Sequence, residues 1–506
     1  MFKHALIQEA ASDLLLAANR QKLHRRVAEV LVAEFPELTE RQPELVAHHY
    51  AAGDSPESSL DYWQRAGERA LERAANVEAI AHLERAQALT VTCMQAGDAR
   101  NERELQIQHR LAPAYMAIKG WASLEVEQAC RRALELSGDR GDFGSLWGLW
   151  TNYFLRGRLR EALHVGRQVM QLAADVGSLL EANHRTNTMV MAHHAVGYSH
   201  FYRGEFQAAH DIAEAGLRLK LVGSAGVFDL ESEIEMVRMF QFSSSAALRI
   251  MLGCSLWMLG LPDKGAEIAD SAVELTRELE HYPSEAYALA STLLLRYYQH
   301  DIEGAKRTTD RLLNLAQQES FEIWSPFALM FRGWVLVEDG DEEGIMLTRR
   351  GLAEWRATGS HLNETIVVAM LAASLVKVGR VAEALVIIGD EIVDAGQREE
   401  LQFAPELYRL RGEIMLEQGL GLEGEASLER GWQLAREQGA RMLELRALTS
   451  LCRLWAATGR RELAVSSLDG LYAEFTEGFS TPDLQAAREL LDELRSGRAT
   501  IHARQN

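Results

Sequence analysis

The glycines of residues 419–424, Gly-Leu-Gly-Leu-Glu-Gly, match the pattern G-x-G-x-x-G. In dinucleotide-binding proteins such a segment follows a β-strand and opens a helix, so that its backbone can approach a pyrophosphate. Here an amphipathic helical run precedes the glycines, and the sequence has no G-x-x-x-x-G-K-[ST] segment to hold a triphosphate. We therefore interpret residues 419–424 as a turn between two helices, and we expect no cofactor and no catalytic residue in this chain.

Four histidines lie close together in the sequence: His184, His193, His194 and His200. His193 and His200 are seven residues apart, which places them on roughly one face of a helix. A zinc site would need cysteine or carboxylate partners as well, and the motif H-E-x-x-H is absent. We expect no metal site, and we interpret His193 and His200 as core residues or as residues of a partner-binding groove.

Aromatic residues recur every three or four positions in two segments. One segment contains Trp147, Trp150 and Tyr153, and the other begins at Trp324 and ends at Trp334. This spacing places each set on one face of a helix. Core packing is the ordinary role of such a stripe, but helical-repeat proteins also bind peptides or small ligands with an exposed stripe on their concave surface. Both interpretations stay open, and these five residues are candidates for the binding groove.

The composition narrows the class of protein. The chain has 506 residues, of which 47% are apolar and 25% charged, and only nine are prolines. These values predict a large folded protein made of long helices. A net charge of −20 argues against the basic surface that nucleic-acid binding requires. The four cysteines are isolated, and no segment is typical of a signal peptide or a membrane span, so we expect a cytoplasmic protein that does not bind membranes.

Glycines that we interpret as turns between helices recur with a regular spacing. They follow amphipathic runs at Gly157, Gly204, Gly260, Gly340, Gly379, Gly419 and Gly459. From Gly340 onward they are 39 or 40 residues apart, and the double gap before Gly340 is filled if His300-Asp301 forms the missing turn. A hydroxyl residue before proline also predicts helix starts at Pro56, Pro326 and Pro482. A period near 40 predicts an all-α solenoid of helical hairpins.

Individual repeats share a pattern of residue types. A small residue at Gly197 is followed by the turn glycine Gly204, by the aromatic Phe206 and by Ala209. This pattern resembles tetratricopeptide (TPR) repeats, although the period is nearer 40 than 34 and the terminal proline is absent. The resemblance implies a TPR-like α-solenoid, a right-handed superhelix of helical hairpins. The expected domains are a helical linker at 1–52, the repeat array at 53–476, and a capping helix and tail at 477–506.

The two ends of the chain resemble a particular group of bacterial proteins. Residues 2–9 (FKHALIQE) and 42–50 (QPELVAHHY) are similar to the segment that directly follows the NTPase module of class III adenylate or guanylate cyclases and of transcription activators with STAND or AAA-type ATPase cores. Residues 477–484 (EGFSTPDL) are similar to the closing helix of the cyclase-type members. The resemblance implies an upstream NTPase or cyclase module as a partner, and a nucleotide contact for His4 when such a module is present.

Two functional hypotheses follow. The leading one is a non-catalytic regulatory and protein-interaction array, because the P-loop, the cyclase domain and the DNA-binding helix-turn-helix of the resembling proteins are absent from this sequence. The alternative is the inducer-sensing half of an ATP-dependent transcription activator that lacks its DNA-binding domain and binds a small molecule in its groove. The identity of the partner, the face that binds it and the oligomeric state are left open.

Overall fold

The computed structural model describes residues 17–138, 141–176, 181–222, 226–319 and 324–496. These ranges contain 25 α-helices, and the short helical hairpins follow one another along the chain. The predicted all-α solenoid of TPR-like hairpins is therefore confirmed. The chain splits into two compact units between Asn152 and Tyr153. Each unit is described by itself. The expected domain boundaries at 52 and 476 stay predictions.

The first unit consists of seven helices and most of an eighth. In chain order the helices are α1 (Ala17–Glu34), α2 (Pro36–Arg41), α3 (Pro43–Ala52), α4 (Pro56–Glu72), α5 (Asn76–Cys93), α6 (Asp98–Lys119), α7 (Leu124–Ser137) and α8 (Phe143–Leu155). Helices α4 and α5 pack as one hairpin and α6 and α7 as the next. Proline occupies the first turn of α2, α3 and α4, where its missing N–H costs no intrahelical hydrogen bond.

The second unit is also a series of helices. Its helices are α9 (Leu159–Val176), α10 (Ala182–Tyr202), α11 (Phe206–Arg218), α12 (Leu230–Phe240), α13 (Ser244–Met258), α14 (Pro262–Glu278), α15 (Tyr282–Tyr298), α16 (Ile302–Gln318), α17 (Trp324–Glu338), α18 (Glu343–Ala357), α19 (Glu364–Lys377), α20 (Val381–Arg398), α21 (Ala404–Glu417), α22 (Gly421–Gln438), α23 (Arg441–Ala457), α24 (Arg461–Tyr472) and α25 (Pro482–Ser496). From α13 onward, consecutive pairs form the hairpins, and α25 packs on the last pair.

The predicted turns lie where the glycine spacing places them. All seven turn glycines adopt a positive φ, between +69° and +94°. The missing turn is also found, because α15 ends at Tyr298, α16 begins at Ile302, and His300 takes a φ of +56° between them. Helices α4 and α25 begin at Pro56 and Pro482 as predicted, and Pro326 lies in the first turn of α17.

An insertion interrupts the repeat between α11 and α13. It consists of two antiparallel strands, β1 (Leu221–Val222) and β2 (Val227–Phe228), followed by α12. Lys220, just before β1, forms a buried ion pair with Glu233 of α12, with Nζ 3.1 Å from Oε2. This extra segment explains why Gly204 and Gly260 are further apart than one repeat, and the sequence patterns did not predict it.

The first helix of each hairpin in the second unit forms the core. Helix α13 is buried along its whole length except for the half-buried Arg249, and α19 is buried from Glu364 to Ala372. A helix that is apolar on every side is typical of a fully buried position. The second helices, such as α14 and α20, alternate buried and exposed positions and cover this core.

Hairpins that are distant in the sequence also touch within the second unit. The carbonyl oxygen of Leu155 accepts hydrogen bonds from the backbone N–H groups of His361, at 2.8 Å, and of the following residue. The carbonyl of Tyr202 likewise accepts from Leu401, at 2.8 Å, and from its neighbour. The Tyr202 hydroxyl donates to Asn363 Oδ1 at 2.7 Å. These contacts hold the C-terminal ends of α8 and α10 next to the N-terminal ends of α19 and α21.

Candidate partner-binding surface

The predicted groove residues differ in their exposure. Trp150, Tyr153 and Trp334 are only 2%, 3% and 2% exposed, so in this structure they pack inside their units and offer no open surface. Trp147, His193, His200 and Trp324 are half-buried. His4 lies outside the described residues.

Local partners hold the two predicted histidines of α10. His193 Nδ1 lies 2.7 Å from the carbonyl oxygen of Met189 and donates to it, while burial lowers the pKa of the ring. His200 Nδ1 contacts the Glu205 carboxylate across the turn to α11. Among the residues that the structure describes, no group of three or more His, Cys, Asp or Glu side chains is arranged to hold a metal ion.

Three half-buried aromatic rings from separate segments meet in the second unit, and we call them the aromatic surface. Phe242 comes from the loop between α12 and α13, Tyr287 from α15, and Trp324 opens α17. The Phe242 and Tyr287 ring centroids are 4.9 Å apart and those of Tyr287 and Trp324 are 5.9 Å apart, both in edge-to-face geometry. Edge-to-face pairs add to the stability of aromatic clusters. The structure therefore brings Trp324 together with two aromatic residues that the sequence analysis missed.

Two buried side chains of α10 form the base of the aromatic surface. The His194 ring lies 5.5 Å from Phe242 and 4.8 Å from Tyr198, and its Nδ1 is 3.3 Å from Ser244 Oγ. Burial lowers the pKa of His194 to about 3, so the ring is neutral at neutral pH. The Tyr198 hydroxyl donates to the carbonyl of Ala247 at 3.0 Å. These contacts fix α10 against α13 and give the surface a rigid floor.

Sequence spacing could not have found Phe242 and Tyr287. Neither follows the helical spacing of an aromatic stripe, since Phe242 comes two residues after Phe240 and Tyr287 five after Tyr282. Only the stacking of neighbouring hairpins brings the Phe242 and Tyr287 rings together. The one available signal was Phe242 itself, which lies beside the run Ser243-Ser244-Ser245 that opens α13. An apolar ring in a polar inter-helix loop indicates a packing or binding role.

Trp147 lies in the first unit, where it lines a pocket of about 390 Å³ between α6, α7 and α8. Trp147 and Trp150 are in contact, with their ring centroids 4.9 Å apart. Trp150 thus supports Trp147 from the buried side, while Trp147 faces the pocket. Core packing is thus observed for Trp150, and a binding role for Trp147 stays a prediction.

No helix in the described ranges combines the length and apolar character needed to cross a bilayer. No protein-family model matches the chain. It is 23% identical over 468 residues to an uncharacterized protein of Rhizobium meliloti (strain 1021). The match covers 91% of this chain but 44% of that protein, so the chain spans less than half the length of this relative.

Several solved structures are similar to parts of this chain. A Rap protein complexed with competence and sporulation factor is 10% identical, with a TM-score of 0.48 over 75% of this chain and 98% of that one. A STAND protein with a TPR sensor from Pyrococcus horikoshii is 13% identical, with a TM-score of 0.33 over 67% and 47%. Yeast Tom70 is 11% identical, with a TM-score of 0.34 over 87% and 96%. The succession of helical hairpins described above makes the chain a TPR-like α-solenoid.

Proposed function

We propose that the chain is a non-catalytic regulatory region that binds a protein partner through the aromatic surface, and that this partner is an NTPase or cyclase module. The observation that carries the proposal is the meeting of Phe242, Tyr287 and Trp324 on a rigid base. Aromatic residues held in a packed neighbourhood dominate the energy of protein interfaces, since they bury a large area at little cost in side-chain entropy. This surface therefore suits a partner segment that packs an apolar side chain against the rings.

The net charge of the chain indicates which charge the partner segment carries. With a net charge of −20, the protein attracts a segment that carries basic residues around its apolar anchor. Such complementarity raises the rate of association more than the affinity, and salt screens it. We expect the partner segment to be basic and its association rate to fall as the ionic strength rises.

Two observations support an NTPase or cyclase module as the partner. Residues 42–50 resemble the segment that follows such modules, and the structure forms helix α3 (Pro43–Ala52) there. The R. meliloti relative has more than half of its length outside the match. We infer that the array acts as one part of a larger assembly. The proposed role is to bias the nucleotide-dependent state of that module.

A pull-down with the full chain as bait tests the proposal. The bait is exposed to lysate of the organism that encodes it, and captured proteins are identified by mass spectrometry. We expect a protein with a P-loop or cyclase domain to be captured by the wild type and lost with the double variant Tyr287→Ala/Trp324→Ala. Phe479→Ala, which removes a 48% exposed aromatic ring outside the aromatic surface, should still capture it. Equal capture by both variants, or capture without an NTPase or cyclase, would contradict the proposal.

The inducer-sensing role is a second candidate, because the first unit contains a pocket of a size that suits a small molecule. A ligand that binds only the folded protein would raise its free energy of unfolding by about 2.7 kcal/mol at a hundredfold excess over Kd. The chemistry of this pocket decides which ligand it fits.

A further inference from the structure

The pocket of the first unit is an apolar cleft between neighbouring hairpins. Its volume is about 390 Å³, within the range of small-molecule sites. Its apolar wall is formed by Ala112, Met116, Trp121, Cys130, Trp147 and Gly148. A Cβ atom at Gly148 would lie 2.9 Å from Cys130 Sγ and 3.0 Å from Met116 Cε, so glycine at this position lets α8 approach α6 and α7 closely.

The walls of the pocket are held in place from behind. Asn152, which is fully buried, donates two hydrogen bonds of 2.8 Å from Nδ2, to the carbonyl oxygens of Trp121 and Ser123. These bonds fix the turn that carries Trp121. Because Trp121 and Trp147 come from different segments with separate supports, the cleft is formed before any ligand arrives.

The Asp142 carboxylate is a hydrogen-bond acceptor that lines the pocket. Asp142 Oδ2 lies 2.6 Å from His109 Nε2, and its Oδ1 accepts from the backbone N–H of Ser145 at 3.0 Å. Burial opposes ionisation of Asp142, but the hydrogen bonds from Ser145 and His109 outweigh it and lower the pKa of the carboxyl group. The pocket therefore contains a partly buried carboxylate that is ionised at neutral pH.

Helix α6 has an interior proline beside the pocket. Pro113 lies inside this helix and has no N–H group, so the carbonyl oxygen of His109 lacks the donor four residues later that a regular helix provides. The Asp142 carboxylate at the pocket is suited to a ligand that donates a hydrogen bond.

We propose that this pocket binds a small organic cation, with a primary ammonium group on a short aromatic or aliphatic body. The ammonium group donates to the Asp142 carboxylate, and the body fills the cleft between Trp121 and Trp147. Cations are attracted to the faces of tryptophan rings, and a charge-assisted hydrogen bond adds to this attraction. The proposal is independent of the aromatic surface, since the pocket lies in the other unit, and either can fail without the other.

A matched pair of probes tests the charge requirement. Phenethylamine and 3-phenylpropionate share a phenyl ring and a two-carbon chain but carry opposite charges. Binding to the full chain is followed by isothermal titration calorimetry and by the intrinsic fluorescence of the tryptophans. We expect saturable binding of phenethylamine and at least tenfold weaker binding of 3-phenylpropionate. Equal binding of both probes, or no saturation by phenethylamine at its solubility limit, overturns the proposal.

Variants assign the site to these residues. Asp142→Asn removes the charge but keeps an N-cap residue for α8, because asparagine caps as well as aspartate, and it should weaken phenethylamine binding about tenfold. Asp98→Asn, an exposed aspartate at the start of α6, should leave the affinity unchanged. Ala112→Phe fills the cleft and should abolish binding, which keeps the test decisive if Asp142→Asn fails to fold. Unchanged affinity in folded Asp142→Asn or Ala112→Phe protein overturns the assignment.

Discussion

Lys220 and Glu233 form an ion pair that is completely enclosed, with Nζ 3.1 Å from Oε2 and both side chains 0% exposed. Lys220 Nζ also donates to Asn187 Oδ1 at 2.5 Å, and the Glu233 carboxylate accepts from Ser243 and Ser245 at 2.6 Å each. The pair thus joins the inserted strands to α10, α12 and α13. It is the clearest structural reason for the insertion to hold a fixed position in an otherwise helical array.

Breaking this pair should destabilise the second unit strongly. Lys220→Met keeps the length of the side chain but leaves the Glu233 carboxylate buried without its cation, so we expect a loss of about 3–5 kcal/mol in the free energy of unfolding. Urea unfolding followed by circular dichroism measures the loss. The double variant Lys220→Met/Glu233→Gln should recover a large part of it, because no buried charge remains. A single variant within 1 kcal/mol of the wild type would contradict this role.

A second buried network predicts an unusual pH dependence. Arg398 Nη2 lies 2.5 Å from Glu391 Oε1, and the same guanidinium also faces Glu364 at 3.8 Å and Glu400 at 3.4 Å. Burial raises the pKa of Glu391 to about 8, and Glu400 and Glu364 add to the shift although Arg398 opposes it. The folded protein then keeps a proton that the unfolded chain releases above its ordinary pKa of 4.5.

Stability should therefore fall as the pH rises from about 4.5 to about 8. The contribution of one such proton is about 1.4 kcal/mol per pH unit. Glu391→Gln removes the titration and should flatten this part of the stability profile, whereas Glu437→Gln, at an exposed position, should leave the slope unchanged. The measurement is a series of urea unfolding curves across this pH window. An unaltered slope in Glu391→Gln would show that another group carries the proton.

The sequence was a good guide to the turns and a poor one to the surfaces. The register of turn glycines even located the turn at His300, because turns are set by local backbone geometry. The sequence patterns did not predict the insertion at Lys220, because strands of two residues are too short to show an alternation of apolar and polar residues. The spacing of Trp150 and Trp334 identified a helix face, but whether a face is open depends on which hairpins cover it, and contacts such as Leu155 with His361 join residues that no local pattern relates.

The close crossing of α17 and α18 depends on glycine. A Cβ atom at Gly333 would lie 2.2 Å from Thr348 Oγ1 and 2.4 Å from the carbonyl oxygen of Gly344, so Gly333→Ala must push the two helices apart. We expect a loss of about 1–3 kcal/mol in urea unfolding. Gly389 in α20 is the matched control, because a Cβ atom there meets nothing within 4 Å. Gly389→Ala should stabilise by about 0.5–1 kcal/mol, and equal effects of both variants would refute the packing argument.

Arg446 binds helix α25 to the preceding hairpins. Its Nε and Nη2 atoms bind Asp483 of α25 at 2.7 Å and 2.9 Å, Nη2 also donates to the Tyr298 carbonyl, and the guanidinium lies 5.0 Å from the Trp257 ring centroid. Arg446→Ala leaves Asp483 without its partner, so we expect a loss of about 3–5 kcal/mol and faster amide hydrogen exchange in α25. Arg446→Lys keeps the charge but loses the bidentate geometry, so its free energy of unfolding should lie between those of the wild type and of Arg446→Ala. Unchanged amide hydrogen exchange in α25 of the Arg446→Ala variant would contradict the role of Arg446 in holding this helix.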